Sequence, residues 1–295
     1  MTVAVRGLRS VGLQTTALDE SVDFYSGPWG LEVVEQGDGV VALRGTGEQH
    51  HVVQLIEGES DVLDHIALAM ADRHSVDVAA AALSDAGVEL LGEPGPQDGP
   101  AGGYGFRLRD PEGRVVELST DTLAVPPREG GATPTKLSHV VLNTTDIDAA
   151  CEWWTTVLGF RVSDWSEHQM VFLRCSADHH AIAFNRADYA SINHAAYEVP
   201  SLDGFMRSLG RLHRAGHDPG WGPGRHGPGN NAFGYFVDPS GHVPEVTAEV
   251  QRIDEATWVP RVWRRIPELS DLWGTAGPPS EEIRSYMAGT PTKQN

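Results

Sequence analysis

LSHVVLNTTDIDAACEWW, residues 137–154, repeats LRSVGLQTTALDESVDFY, residues 8–25, with the Thr-Thr pair and the acidic residue after it in register. The same offset aligns EQHHVVQL (48–55) with ADHHAIAF (177–184), and DHIALAM (64–70) with NHAAYEV (193–199). An offset one residue shorter aligns RDPEGRVVELST (109–120) with VDPSGHVPEVTA (237–248). Matched segments that recur in the same order indicate two copies of one unit. The Pro/Gly-rich stretch AVPPREGGATPT (124–135) reads as the linker between them. Domains are therefore expected at 1–123 and 136–250. A tail, 251–295, carrying Trp258, Trp263 and Trp273, falls outside the repeat.

Within the second copy LSHVVLN alternates like a half-buried strand, placing Leu137, His139 and Val141 on one face. A helix follows: Thr145 or Asp146 can cap it, Ile147, Cys151, Trp154 and Leu158 recur at helical spacing, and Gly159 closes it. FRVSDW, MVFLRC and HAIAFN read as three short strands. The order then begins again with the strand NHAAYEV, the amphipathic helix LDGFMRSLGRLHRAG ended by Gly216, and the strands NAFGYFV and VPEVTAE joined by DPSGH. Each domain is thus expected to hold two βαβββ modules, an α+β architecture of mostly antiparallel sheet.

A length of 295 residues suits two domains with substantial cores. Lys and Arg number 22 against 41 Asp and Glu, a net charge of −19. That balance argues against nucleic-acid and anionic-membrane partners, which need a positive field. Cys151 and Cys175 stand in no metal-binding or redox spacing, which suits a reducing cytoplasm. No signal-peptide core or membrane-spanning run is visible, so a cytoplasmic protein with a small-molecule or protein partner is expected.

A lone histidine in an alternating strand is ordinarily a packing or surface residue. Here His139 and His194 each lie on the first strand of a module and Glu245 lies on a last strand, so face-to-face pairing of the two modules is expected to bring the three together. Two imidazoles and a carboxylate form the facial triad of non-haem Fe(II) sites, and the same donors suit Mn(II) or Zn(II). Glu198 competes with Glu245, because it shares a strand face with His194. The first copy keeps His65 and Glu117 at the matched positions but has Ser10 in place of His139, so the metal is expected in the second copy alone. His180, His226 and Tyr235 stand out beside the triad. His180 has an imidazole's capacity for acid–base work. Tyr235 faces Glu245 if residues 238–242 form a five-residue hairpin loop. Pro244 beside Glu245 is expected to put that strand at a sheet edge or bulge. GPGRHG (222–227) satisfies G-x-G-x-x-G, but no helix follows it, so it reads as a loop presenting His226 and not as a dinucleotide cradle.

The repeat together with LSHVVLN, ADHHAIAF, NHAAYEV and above all GRHGPGNNAFGYFVDPSGHVPEVTAEV resembles the type I extradiol ring-cleavage dioxygenases, catechol 2,3-dioxygenase-like members of the vicinal oxygen chelate superfamily. The resemblance spans roughly residues 5–250. It implies the vicinal oxygen chelate, or glyoxalase-like, fold, a metal-free first domain, and a mononuclear Fe(II), or Mn(II), held by His139, His194 and Glu245. His180, His226 and Tyr235 become the catalytic residues. A catecholic substrate, O₂ and a homo-oligomer are the implied partners. The alternatives are another metal-dependent enzyme of this fold, such as a glyoxalase-like isomerase or an epimerase, and a metal-free small-molecule binding protein.

Overall fold

The computed structural model describes residues 3–292. The first half runs β1 (Gly7–Thr15), α1 (Leu18–Ser26), β2 (Glu32–Gly37), β3 (Val40–Arg44), β4 (Val53–Glu57), β5 (Val62–Ala69), α2 (Arg73–Asp85), β6 (Gly95–Pro96), β7 (Tyr104–Arg109) and β8 (Val115–Thr120). The second runs β9 (Lys136–Thr144), α3 (Ile147–Thr156), β10 (Arg161–Ser166), β11 (Met170–Arg174), β12 (Ile182–Arg186), β13 (Ser191–Val199), α4 (Leu202–Arg214), β14 (Trp221–Arg225), β15 (Ala232–Tyr235) and β16 (Pro244–Ala248). The tail adds β17 (Arg261–Trp263), α5 (Pro267–Ser270) and α6 (Glu281–Ala288).

Each half is one sheet, ordered β2-β3-β4-β1-β5-β8-β7-β6 and β14-β15-β16-β13-β9-β12-β11-β10-β17. Within every module the first strand lies parallel to the last, and the two first strands of a half, β1 with β5 or β9 with β13, pair antiparallel. The modules of a half therefore join edge to edge through their first strands, and not face to face as the sequence suggested, because β1 and β5, like β9 and β13, hydrogen-bond within one sheet. This is the expected tandem α+β repeat of βαβββ modules, and the tail extends the second sheet by pairing β17 with β10.

The elements follow from local chemistry. The Asp146 side chain accepts from the Ala149 N–H at 3.0 Å and caps α3, whose Ile147, Ala150, Cys151 and Trp154 are buried toward β11 and β12. A fully buried large apolar side chain such as Trp154 contributes about 1.5–3 kcal/mol. Gly159, at φ +76°, takes the left-handed conformation that ends the helix segment. Tyr25 donates to Asp238 across the two halves at 3.1 Å, and Trp29 packs edge-on to Tyr197 and Phe236, so one apolar core runs through both halves.

Four local expectations change. β9 is buried on both faces: Val140 and Leu142 enter the main core, while His139, Val141 and Asn143 line a cavity. Leu137 leaves the face of His139, because a register shift between them bulges the strand at Ser138. Residues 222–225, read as loop, belong to the edge strand β14, whose Gly/Pro content hid it. Pro244 sits inside the sheet, between β15 and β13, but at the first position of β16, where a missing N–H costs the ladder little.

Candidate metal centre

β9, β13 and β16 are consecutive neighbours in the second sheet, and His139, His194 and Glu245 project from them toward one point. One ligand atom from each lies within 4.8 Å of the others. Both Nε2 atoms stand 3.2 Å from Glu245 Oε2. All three residues are buried, Glu245 completely. Burial alone would raise the Glu245 carboxyl, but the His139 and His194 imidazoles outweigh it and hold the group well below the usual carboxylate range. His194 Nε2 is buried without a hydrogen-bond partner, since its approach to Glu245 is off-line. An ionised carboxylate sealed between two imidazole nitrogens, one of them orphaned, fits a divalent ion. Glu198 stands elsewhere, ion-paired to Lys136 at 3.0 Å.

His180 comes in beside the triad, its ring centroid 4.1 Å from that of His139. The chemistry of its neighbours sets its tautomer. The buried Asp164 carboxylate can only accept, so His179 donates to it through Nε2 at 3.1 Å. The remaining His179 Nδ1 lone pair then accepts from His180 Nδ1 at 3.1 Å, which leaves His180 Nε2 free as a base. Burial lowers both pKa values, His180 well below the ordinary range, so both rings are neutral at pH 7. Asp164 is held by the tail: Trp263 Nε1 donates to it at 2.7 Å and the Arg261 N–H at 2.9 Å.

Tyr235 lies opposite Glu245 in the β15–β16 ladder, the register expected from a five-residue hairpin. His226 follows β14 and donates from Nδ1 to the Ser270 carbonyl at 3.1 Å, so its Nε2 accepts the Tyr235 hydroxyl at 2.9 Å. Burial, assisted by the charge of Glu245, pushes the Tyr235 phenol well above its ordinary value, while burial draws the His226 imidazole down to about 4.

These groups open on a cavity of about 640 Å³ lined by His139, His180, His194, His226 and Tyr235, with Phe172 and Trp221 among its aromatic walls. The tail supplies its outer wall through Arg264, Arg265, Leu269, Arg284 and Met287. Together with Arg186, three tail arginines face a single lining carboxylate, Asp188. The sequence singled out neither these arginines nor Asn231, which donates to Glu245 at 3.3 Å and to Thr247 at 2.8 Å. Asn231 lies within the stretch that carries the resemblance, but nothing in its local spacing signals a contact with the carboxylate. No helix among the described residues is long and apolar enough to cross a membrane.

Comparison with known proteins agrees with this fold. The family model for the Glyoxalase/Bleomycin resistance protein/Dioxygenase superfamily matches residues 7–118 and 136–246, one match to each half. Metapyrocatechase 2 of Cupriavidus necator is 34% identical over 122 residues, 41% of this chain and 38% of that protein. The manganese-dependent 2,3-dihydroxybiphenyl 1,2-dioxygenase of Geobacillus genomosp. 3 is 26% identical over 90% of this chain and 91% of its own length. The Mn(II)-bound glyoxalase of Novosphingobium aromaticivorans superposes with a TM-score of 0.90 at 38% identity, covering 95% of this chain and 94% of that one.

Proposed function

The chain belongs to the Glyoxalase/Bleomycin resistance protein/Dioxygenase superfamily, and from that premise we propose that its second half is an extradiol dioxygenase, cleaving a catecholic ring beside the diol and placing both atoms of O₂ in the product. His139, His194 and Glu245 hold a mononuclear Fe(II), with Mn(II), the ion named for two of its relatives, as the alternative. When bound, the ion supplies a Lewis-acidic centre for the two catechol oxygens and a route for electrons to O₂. The residues handle position and protons. His180 Nε2 takes a proton from one substrate hydroxyl and returns it as the ring opens. Tyr235, its hydroxyl donating to His226 Nε2, offers its oxygen as acceptor to the second hydroxyl and fixes the ring's orientation. Phe172 and Trp221 limit water at the apolar edge of the ring.

The observation that carries this reading is the meeting, in one cavity, of the triad with a free imidazole lone pair and a His–Tyr pair. Protein reconstituted with Fe(II) or Mn(II) under anaerobic conditions, then given O₂, is expected to consume oxygen and yield a yellow ring-opened product from a catechol. Absence of oxygen uptake across a panel of catechols with either ion overturns the reading. The name of the Novosphingobium relative favours a second reading, a glyoxalase-like isomerase. Product formation without oxygen distinguishes it.

The arginines at the mouth narrow the substrate class. In a chain of net charge −19, a wall of Arg186, Arg264, Arg265 and Arg284 against one Asp favours a catechol bearing an anionic substituent. A hydrogen bond to a charged group is worth about 1.5–3 kcal/mol, so kcat/KM for a carboxylated catechol is expected to exceed that of catechol itself by about tenfold or more. A homo-oligomer in the cytoplasm belongs to the same reading, and light scattering of the purified protein tests the assembly.

A further inference from the structure

His194 is linked by hydrogen bonds to the last helix of the chain. Asn143 Nδ2 donates to the Met287 carbonyl at 2.8 Å and to the Ala288 carbonyl at 3.1 Å, at the end of α6. Ser191 Oγ joins it, accepting from the same amide at 2.8 Å and donating to the Ala288 carbonyl at 2.6 Å. Backbone carbonyls only accept, so they dictate which way the Asn143 amide is turned. Its Oδ1 then faces the sheet, where it accepts from Asn185 Nδ2 at 2.9 Å and Asn193 Nδ2 at 3.0 Å. With its own amide nitrogen committed, Asn193 presents Oδ1 to His194 Nδ1 at 2.8 Å. An amide oxygen cannot donate. The imidazole therefore carries its proton on Nδ1 and keeps the Nε2 lone pair for the centre it shares with Glu245.

Asn193 is well placed for this task, because it falls at the register shift between Ile192 and His194, and its side chain lies beside that of His194. α6 has further moorings to the same region: it packs on β13, and the Thr292 N–H donates to the Ala190 carbonyl at 2.7 Å. Its residues Arg284, Met287 and Ala288 line the cavity mouth. The first half keeps the imidazole but not the link. There Asp64 stands 2.7 Å from His65 Nδ1, and Gln14 replaces Asn143 with Ser60 as its donor.

We infer that Asn193 is a positioning residue for His194 and that, through Asn143, it couples metal retention at the triad to the order of α6. The inference rests on the triad being the metal centre. By reciprocity, an ion that is held better when α6 is docked must itself dock α6.

Mn(II) titration of the apoprotein, followed by the spin-resonance signal of free Mn(II), and hydrogen exchange of residues 281–288 with and without Mn(II) test it together. In the wild-type chain Mn(II) is expected to slow exchange in α6. Asn193→Ala is expected to weaken Mn(II) binding by about 10- to 100-fold, the effect of removing an outer partner of a metal-ligating histidine. Asn193→Asp keeps an acceptor for His194 but loses the donor to Asn143. It is expected to restore Mn(II) binding close to the wild-type value, while α6 exchange no longer responds to the ion. Wild-type affinity in Asn193→Ala overturns the inference, as does equal loss in Asn193→Asp, which would mark a merely structural role. A wild-type chain that binds no Mn(II) or Fe(II) overturns the metal reading itself, and the coupling with it.

Discussion

Glu117 and Glu245 occupy matched strands of the two halves, and each is a carboxylate that the fold buries and must neutralise. In the first half the positive charge is covalent. Arg9 donates to Glu117 at 2.7 Å and to Ser119 at 2.5 Å, and Arg107 reaches Glu117 at 3.1 Å. Arg9 occupies the same bulge position as Ser138 in the second half, next to Ser10, which replaces His139. His65 has moved as well: its ring lies over Gly12, where an added Cβ would meet Nδ1 at 2.4 Å. Val141, the residue matched to Gly12, carries that Cβ and denies His194 the same position. The second half instead surrounds its carboxylate with two imidazoles, so that in the proposed centre the positive charge comes from an exchangeable ion, whereas the first half has built the charge in.

The histidine pairs make the same point from the other side. His50 and His51 repeat His179 and His180, with ring nitrogens 3.3 Å apart against 3.1 Å. Yet Glu35 is 3.9 Å from His50, and more than half exposed, where Asp164 is sealed at 3.1 Å from His179. His51 spends its Nε2 on Gln54 at 2.8 Å, whereas His180 keeps its own for the cavity. A His-His pair is therefore structural furniture of this unit, and becomes chemical only beside the cluster of His139, His194 and Glu245.

The strongest way to break the contrast is His139→Ser, which gives the second half the first half's residue. It is expected to abolish metal retention and bring oxygen uptake to the level of apoprotein, read by elemental analysis and an oxygen electrode. His180→Ala sharpens it: metal content is expected to stay and kcat to fall by about 10²–10⁴-fold, the range for a lost acid–base group. Metal loss equal to that of His139→Ser would place His180 among the ligands instead. In the first half Arg9→Ala leaves Glu117 with Arg107 as its one guanidinium partner, beside the neutral Ser119 hydroxyl. Breaking a buried pair predicts a loss of about 3 kcal/mol in urea unfolding, with metal content unchanged. If stability holds, Arg9 is not the charge that balances Glu117.

The smallest effect concerns pH. Burial draws His51 down to about 3 in the folded chain, against about 6.5 in the unfolded one. Between those values only the unfolded chain binds the proton, so stability is lost as pH falls from about 6.5 toward 3. Each such imidazole contributes about 1.4 kcal/mol per pH unit to the slope. His51→Gln is expected to lower the slope of apoprotein stability between pH 4 and 6 by one proton, measured by denaturant melts. An unchanged slope would mean that His51 is already charged in the fold.

Much of the centre was legible because the chain states it twice. The two copies aligned Ser10 against His139 and Glu117 against Glu245, and period-two alternation placed Tyr235 against Glu245 once the hairpin length was chosen. What stayed hidden had no local pattern. β14 contains Gly222, Pro223 and Gly224, residues that read as loop, and it becomes a strand only because β15 pairs with it. The tail carries no second copy for comparison, so its sequence left cover of the pocket and plain packing equally open, and only the fold set Trp263 on Asp164 and Arg264 and Arg284 at the cavity.

The sequence by itself determined the unit, its duplication, the order of elements and the residue types able to meet a metal. These are properties of repetition and of short-range periodicity, which a strand or helix expresses without its neighbours. Tertiary structure decided which of those residues meet. His139 and Glu245 are 106 positions apart and face each other only because β13 lies between β9 and β16. It also decided the protons: hydrogen-bond direction at Asn143, His179 and His226 is dictated by carbonyls and a carboxylate brought from other elements, and so, from those, are the nitrogens left free to act.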